Sequence, residues 1–214
     1  TTKRFGSVFS RVTYNYKDRY MFTGTLRHDG SSLFERGQRW GTFPSAALAW
    51  RISEEPFFLP LTETVNSLKL RVGYGLVGNA NLTESTFMAN FQNLESNFGT
   101  SYKTANMPNY DKLTWEKTDS WNAGLDLNLF NNRIEFIFDA FLKNTRDLLM
   151  QTALPSFSGT ATKITGSASP QWANVGNMRN KGIEMTLNAH IINKKDLKWK
   201  TSLTYSLVKN EVTK

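Results

Sequence analysis

Eight stretches of this chain alternate apolar and polar side chains with a period of two, and each runs for roughly the 9–11 residues a tilted strand needs to cross a bilayer. In Leu68–Val77, Leu68, Leu70, Val72, Tyr74 and Leu76 share one face, and Lys69, Arg71, Gly73 and Gly75 share the other. Trp121–Leu129 sets Trp121, Ala123, Leu125, Leu127 and Leu129 against Asn122, Gly124, Asp126 and Asn128. Arg133–Thr145 and Lys181–Ile192 repeat the pattern, with Phe136 and Phe138 opposed to Glu135 and Asp139, and Met185 and Leu187 opposed to Glu184 and Asn188. Ser7–Tyr16, Tyr20–Asp29, Trp40–Ile52 and Leu197–Val208 follow it with more interruptions. Strands of water-soluble domains usually stop at about five or six residues. A sheet built from these segments has one apolar face far larger than an ordinary core requires.

The connections carry a second, independent signal. In order they are Lys17–Arg19, Gly30–Arg39, Ser53–Ser67, Gly78–Ser120, Phe130–Asn132, Arg146–Asn180 and Asn193–Asp196. Antiparallel strands send odd-numbered links to one side and even-numbered links to the other. Here the tight links are odd and both very long ones are even. Outer-membrane barrels have short periplasmic turns and long extracellular loops, so the parity predicts an antiparallel transmembrane barrel wall. Aromatic residues agree: Tyr14, Tyr16, Tyr20, Phe22, Trp50 and Trp199 lie near the short turns, and Trp40, Tyr74 and Trp121 near the long loops. Two belts at opposite strand ends are what interfacial anchoring requires.

Composition is compatible with this fold. Mean hydropathy is -0.45, low because a barrel strand shows lipid only every second side chain. No run approaches the roughly 18 apolar residues of a membrane helix. The net charge of +8 raises nucleic-acid binding as a candidate, but the basic residues are scattered rather than clustered. With no cysteine present, disulfides, thiolate metal sites and cysteine nucleophiles are excluded. Thr1–Phe5 has no apolar leader and Asn210–Lys214 has no terminal aromatic strand, so the chain is expected to be a piece of a longer protein.

Several phrases resemble the SusC/RagA family of TonB-dependent transporters. They include Val12-Thr13-Tyr14-Asn15-Tyr16-Lys17-Asp18-Arg19-Tyr20, Leu26-Arg27-His28-Asp29-Gly30-Ser31-Ser32, and Phe43-Pro44-Ser45-Ala46-Ala47-Leu48-Ala49-Trp50-Arg51-Ile52. Leu68–Gly75, Leu113–Thr118, Asn132–Ile134 and Asn180–Glu184 continue in the same order. The resemblance implies a barrel of about 22 strands with an N-terminal plug, of which residues 1–214 would be a single domain of about eight strands from the C-terminal half, without the plug. It further implies a bacterial outer-membrane location, a glycan or peptide substrate, a SusD-like surface lipoprotein as lid, and the TonB complex as partner through a part absent from this chain. A soluble β-sandwich of carbohydrate-binding or adhesion type is the alternative.

No residue is assigned a catalytic, cofactor-binding or metal-binding role. Gly73-Tyr74-Gly75-Leu76-Val77-Gly78 fits G-x-G-x-x-G, but strand alternation runs through it and no sheet-packing helix follows. The two glycines are read instead as positions where a bulky side chain would crowd the wall. His28 and His190 are the only histidines, are read on polar faces at opposite strand ends, and make neither a triad nor a metal site. Loop aromatics Phe87, Phe91, Tyr102, Tyr110, Trp115 and Trp172 are candidate contacts for substrate or lid; the competing reading is that they pack the loops together. Arg11, Arg27, Arg51, Lys69, Arg71 and Lys143, with Lys198 and Lys200, are expected to face the lumen or plug with an electrostatic role.

Overall fold

In the computed structural model, residues 3–82, 90–96, 99–106, 113–152 and 171–213 are described. Eight long strands form one antiparallel sheet: β1 (Phe5–Tyr16), β2 (Tyr20–Ser31), β3 (Trp40–Arg51), β4 (Val65–Asn79), β7 (Glu116–Leu129), β8 (Ile134–Arg146), β11 (Met178–Asn193) and β12 (Lys198–Val212). Every strand pairs with its sequence neighbours in the sheet, an up-and-down meander with no crossover. The strands run from 12 to 16 residues. Two further strand pairs form separate two-stranded sheets, β5 (Asn90–Ser96) with β6 (Gly99–Asn106) and β9 (Leu149–Thr152) with β10 (Gln171–Asn174). No second sheet covers the eight strands among the described residues. This is the arrangement the loop parity calls for, and a sandwich would need the opposite.

Register confirms the two faces. One unbroken row carries Leu70, Leu125, Phe138, Met185 and Tyr205 across β4, β7, β8, β11 and β12. The neighbouring row carries Lys69 and Asp126. On the apolar face, Val12, Leu26, Leu48, Val72, Trp121, Leu203 and Leu207 are all at least half exposed. Side chains of this size left open along a whole sheet face are stable only against lipid, since in water they would form a patch far beyond that of a soluble monomer.

The odd-numbered connections are tight for local reasons. Lys17 and Asp18 take positive φ in the β1–β2 turn, as do Phe130, Asn131 and Asn132 between β7 and β8. Asp and Asn tolerate that conformation better than other non-glycine residues. The β3–β4 link differs: it winds into two 3₁₀ helices, Ile52–Glu54 and Pro56–Leu61. Its carboxylate, Glu55, accepts hydrogen bonds from Tyr20 Oη at 2.6 Å and Trp50 Nε1 at 3.1 Å. Both donors belong to the apolar face, so the link folds toward that side.

Those bonds from Tyr20 and Trp50, with Arg19 alongside, hold the Glu55 carboxyl below the usual carboxylate range. A depressed acid contributes stability above its unfolded pKa, and the contribution is lost as pH falls through the lower folded pKa. The expected result is a tryptophan emission that is steady from neutral pH to the ordinary carboxylate range and shifts below it. Subtracting the Glu55→Gln signal in the full-length protein isolates the effect, because glutamine removes the titration.

Two details of the sequence reading change. His28 lies on the apolar face, not the polar one. Neither the β1–β2 nor the β2–β3 register slips, so His28 keeps the side of Tyr20, Phe22 and Leu26. Its ring stacks on Trp40 with centroids 4.9 Å apart, and Nδ1 lies 2.9 Å from Thr42 Oγ1. Nor does crowding require glycine at 73 and 75: a Cβ there would sit 3.9 Å from Ala46 O and 3.6 Å from Ser45 Cβ, ordinary contacts. Glycines that close packing does require include Gly78, where a Cβ would run into the buried Phe43 ring, and Gly182. A Cβ on Gly182 would come within 2.6 Å of the Leu207 carbonyl and 2.8 Å of the Phe141 ring.

Candidate functional site

The polar face is organised around Arg71. Its Nη2 donates to Asp126 Oδ1 at 2.8 Å and its Nε to Asp126 Oδ2 at 3.0 Å, a two-nitrogen fork on one carboxylate. The same Nη2 lies 3.0 Å from Asp139 Oδ1, so one guanidinium ties β4, β7 and β8. Lys69 reaches Asp126 at 3.8 Å. Gly124 makes the lattice possible, because a Cβ there would stand 2.5 Å from Asp139 Oδ1 and 2.7 Å from Arg71 Cζ. The charged side chains remain about one third exposed, so solvent screening leaves each pair worth only about 1 kcal/mol or less. Their effect is to fix a pattern of charge on the wall.

Beside this lattice small residues open a depression of about 290 Å³, lined by Ala47, Ala49, Gly73, Asn122 and Gly124, with Arg71 and Asp139 at its edge. Toward the loops a second, of about 380 Å³, is bordered by Arg11, Thr25, Arg27, Ser45 and Gly75. Arg11 Nε donates to Thr25 Oγ1 at 3.3 Å. By register Arg11, Arg27, Arg51, Lys69, Arg71 and Lys143 all stand on the polar face. Lys143 is exposed, with Nζ 5.3 Å from the Phe141 ring centroid. The wall offers donors and acceptors for a polar solute. Among the described residues no group of three or more His, Cys, Asp or Glu is placed to hold a metal ion.

At the loop end of the strands lies the only buried apolar cluster among the described residues: Leu33, Phe34, Phe43, Leu82, Leu113 and Trp115. Trp115 is 4% exposed, its ring 5.2 Å from Phe34 and 5.4 Å from Phe43. Its indole N–H donates to the Arg39 carbonyl at 3.3 Å. Leu149 and Trp172 pack against the cluster from the third long connection. Asn174 completes the joint, its Oδ1 accepting from Thr114 N at 2.8 Å and its Nδ2 donating to the carbonyls of Thr114 and Asp147. All three even-numbered connections therefore meet at one base. Just below it Asp29, fully buried, accepts from Ser7 Oγ at 2.6 Å and from Arg27.

Of the six loop aromatics, Trp115 sits inside this base and Trp172 against it, which fits loop packing. Phe91 and Tyr102 belong to β5 and β6, where Tyr102 pairs with Asn93 and Phe91 with Thr104. Phe87 and Tyr110 lie outside the described residues. Sequence reasoning missed Leu33, Phe34 and Phe43. One signal was available: Phe43 is a large apolar residue on an otherwise polar strand face, close to a loop.

A family model described as TonB dependent receptor-like, beta-barrel, matches residues 1–213. The TonB-dependent receptor SusC of Bacteroides thetaiotaomicron is 37% identical over 215 residues, a match that covers 97% of this chain and 21% of that protein. The TonB-dependent receptor P3 of Formosa agariphila is 35% identical, with 97% and 20% covered. Among solved structures, the RagAB peptide importer in its closed-closed state superposes with a TM-score of 0.86 at 27% identity, covering 98% of this chain and 22% of that one. The siderophore receptor PirA from Pseudomonas aeruginosa, at 16% identity and a TM-score of 0.63, shares the fold alone. The chain spans about a fifth of the length of SusC, P3 and the RagAB chain.

Proposed function

The chain belongs to the TonB-dependent receptor-like β-barrel family, whose members are outer-membrane transporters rather than enzymes, and on that premise we propose that it forms an arc of the wall of a nutrient importer. Its sequence is SusC-like and its sheet superposes on the RagAB importer. The observation that carries the reading is a single meandering sheet with lipid-sized apolar exposure on one face and an ion-paired polar lattice on the other. In the whole barrel the polar face looks into the lumen. Arg11, Arg27, Arg51, Lys69, Arg71 and Lys143, and farther round Lys198 and Lys200, give that lumen its charge, acting on a plug or a passing solute through the field rather than through bonds.

The solute in this proposal is a glycan or peptide fragment. The peptide class has direct support in the structural neighbour, which is a peptide importer. A SusD-like lipoprotein seats over the long loops, whose packed base gives it a firm rim. TonB acts through a segment outside this chain, drawing on the proton-motive force. Of the six loop aromatics, Trp115 and Trp172 belong to the base, and Phe87, Phe91, Tyr102 and Tyr110 are candidates for contact with substrate or lid.

Growth and uptake test this. Deleting the encoding gene in its host should abolish uptake of one class of labelled nutrient, oligosaccharide or oligopeptide. A protonophore should abolish the same uptake in the undeleted strain. Uptake that survives the protonophore, or a deletion that spares both classes, would overturn the proposal.

A further inference from the structure

On the apolar face, near the short turns, lies a groove of about 490 Å³. Phe22, Leu48, Leu70 and Val72 line it, and Tyr20 and Trp50 close its turn-side end. The volume falls within the roughly 300–1,000 Å³ usual for ligand sites. Three observations say what fits. First, the groove opens onto the face that meets acyl chains, and its walls are almost wholly hydrocarbon. Second, its closed end is built and held: Tyr20 and Trp50 stack at 6.2 Å and 11°, with both polar tips fixed on Glu55 Oε1. Third, the turn just beyond carries two cations, Lys17 and Arg19, on either side of Asp18, whose carboxylate accepts from Asn15 Nδ2 at 2.6 Å. Lys17 has no acidic partner among the described residues, and its Nζ lies 5.3 Å from the Tyr16 ring centroid. Arg19 is 3.5 Å from Glu55 and remains 31% exposed.

An apolar trough running up the membrane face, an aromatic pair at the interface and, on the water side, a lysine without an acidic partner beside a partly exposed arginine match one kind of molecule. We propose that this groove is a phospholipid site on the periplasmic leaflet. One acyl chain lies along Leu48 between Phe22 and Val72, and the phosphate meets Lys17 and Arg19. Glu55 is a positioning residue: it fixes the aromatic pair and holds Arg19 close to the headgroup level. The assignment depends on the apolar face meeting lipid, and it can fail while that face remains in the membrane.

The test is native mass spectrometry of the full-length protein, released from detergent after equilibration with a mixture of phosphatidylethanolamine and phosphatidylglycerol. Wild type should retain phospholipid, with phosphatidylglycerol favoured. Leu48→Trp fills the groove with another apolar side chain and should lower retention several-fold. Leu203→Trp, on the same face but away from the groove, should leave retention unchanged. The double substitution Lys17→Gln with Arg19→Gln, in a water-exposed turn, should remove the preference for phosphatidylglycerol. Equal retention by wild type and Leu48→Trp, equal loss in Leu203→Trp, or an undiminished preference in the double variant would each overturn the site. Heat-modifiable gel migration shows whether each barrel has folded, and should Leu48→Trp not fold, the double variant decides alone.

Discussion

Replacing Trp115 by alanine is expected to cost about 3–5 kcal/mol, the range for removing a buried aromatic side chain. The side chain is 4% exposed, contacts Phe34 and Phe43, and gives its only N–H to the Arg39 carbonyl. Alanine leaves a void among large apolar groups at the point where three connections meet, and it leaves the Arg39 carbonyl with only the hydrogen bond from Ser31 N. The loss should be local in its consequences. Strands in lipid keep their ladders, while residues 32–39 and the segments on either side of Trp115 come apart. Limited proteolysis of the full-length protein in detergent reads this directly: new cleavage should appear in the loops of Trp115→Ala, with the barrel still heat-modifiable. Trp121→Ala is the matched control. That ring is 52% exposed on the apolar face, so its removal should leave the loop cleavage pattern unchanged.

Leu125→Arg should be nearly as costly, for a different reason. Leu125 stands midway along β7 between Trp121 at the loop side and Leu129 at the turn side, in the row with Leu70 and Phe138. Arginine on the lipid face of a barrel costs about 2–4 kcal/mol at the bilayer midplane and about 0–1 near the interfaces. The same substitution three residues away, Asn122→Arg, places the charge on the polar face beside the Ala47–Gly73 depression. There water solvates it, and the expected change is within about 0.5 kcal/mol. Reversible unfolding in urea from lipid vesicles gives both numbers. A similar cost at the two positions would mean that the faces have been assigned without physical meaning.

The strands were legible in the sequence because lipid imposes the alternation. Wherever one face must be hydrocarbon and the other wet, the pattern survives, and Leu68–Leu76 or Trp121–Leu129 can be read directly. Beyond the bilayer both faces meet water and the constraint lapses. That is why β4 continues to Asn79, β7 begins at Glu116 and β11 at Met178, all past the points where alternation fades. The loop base was not legible for another reason: Phe34, Phe43, Leu82 and Trp115 are far apart in sequence, and only the fold brings them together. Arg71 and Asp126 could be placed on one face by counting, but not in contact. Their bidentate bond depends on the β4–β7 register and on the missing side chain at Gly124. His28 shows the limit of judging by residue type, since a polar residue at an apolar-face position still follows the strand's parity.

Spin labels placed one at a time at Leu70, Leu125 and Phe138, and at Asn122, Asp126 and Thr186, in the full-length barrel in vesicles bear most directly on the two-faced wall. Oxygen should relax the first three labels strongly while a water-soluble nickel reagent leaves them untouched. The second three should respond to nickel. Nickel access at Leu70 and Leu125, with Asn122 and Asp126 sheltered in lipid, would contradict the two-faced wall.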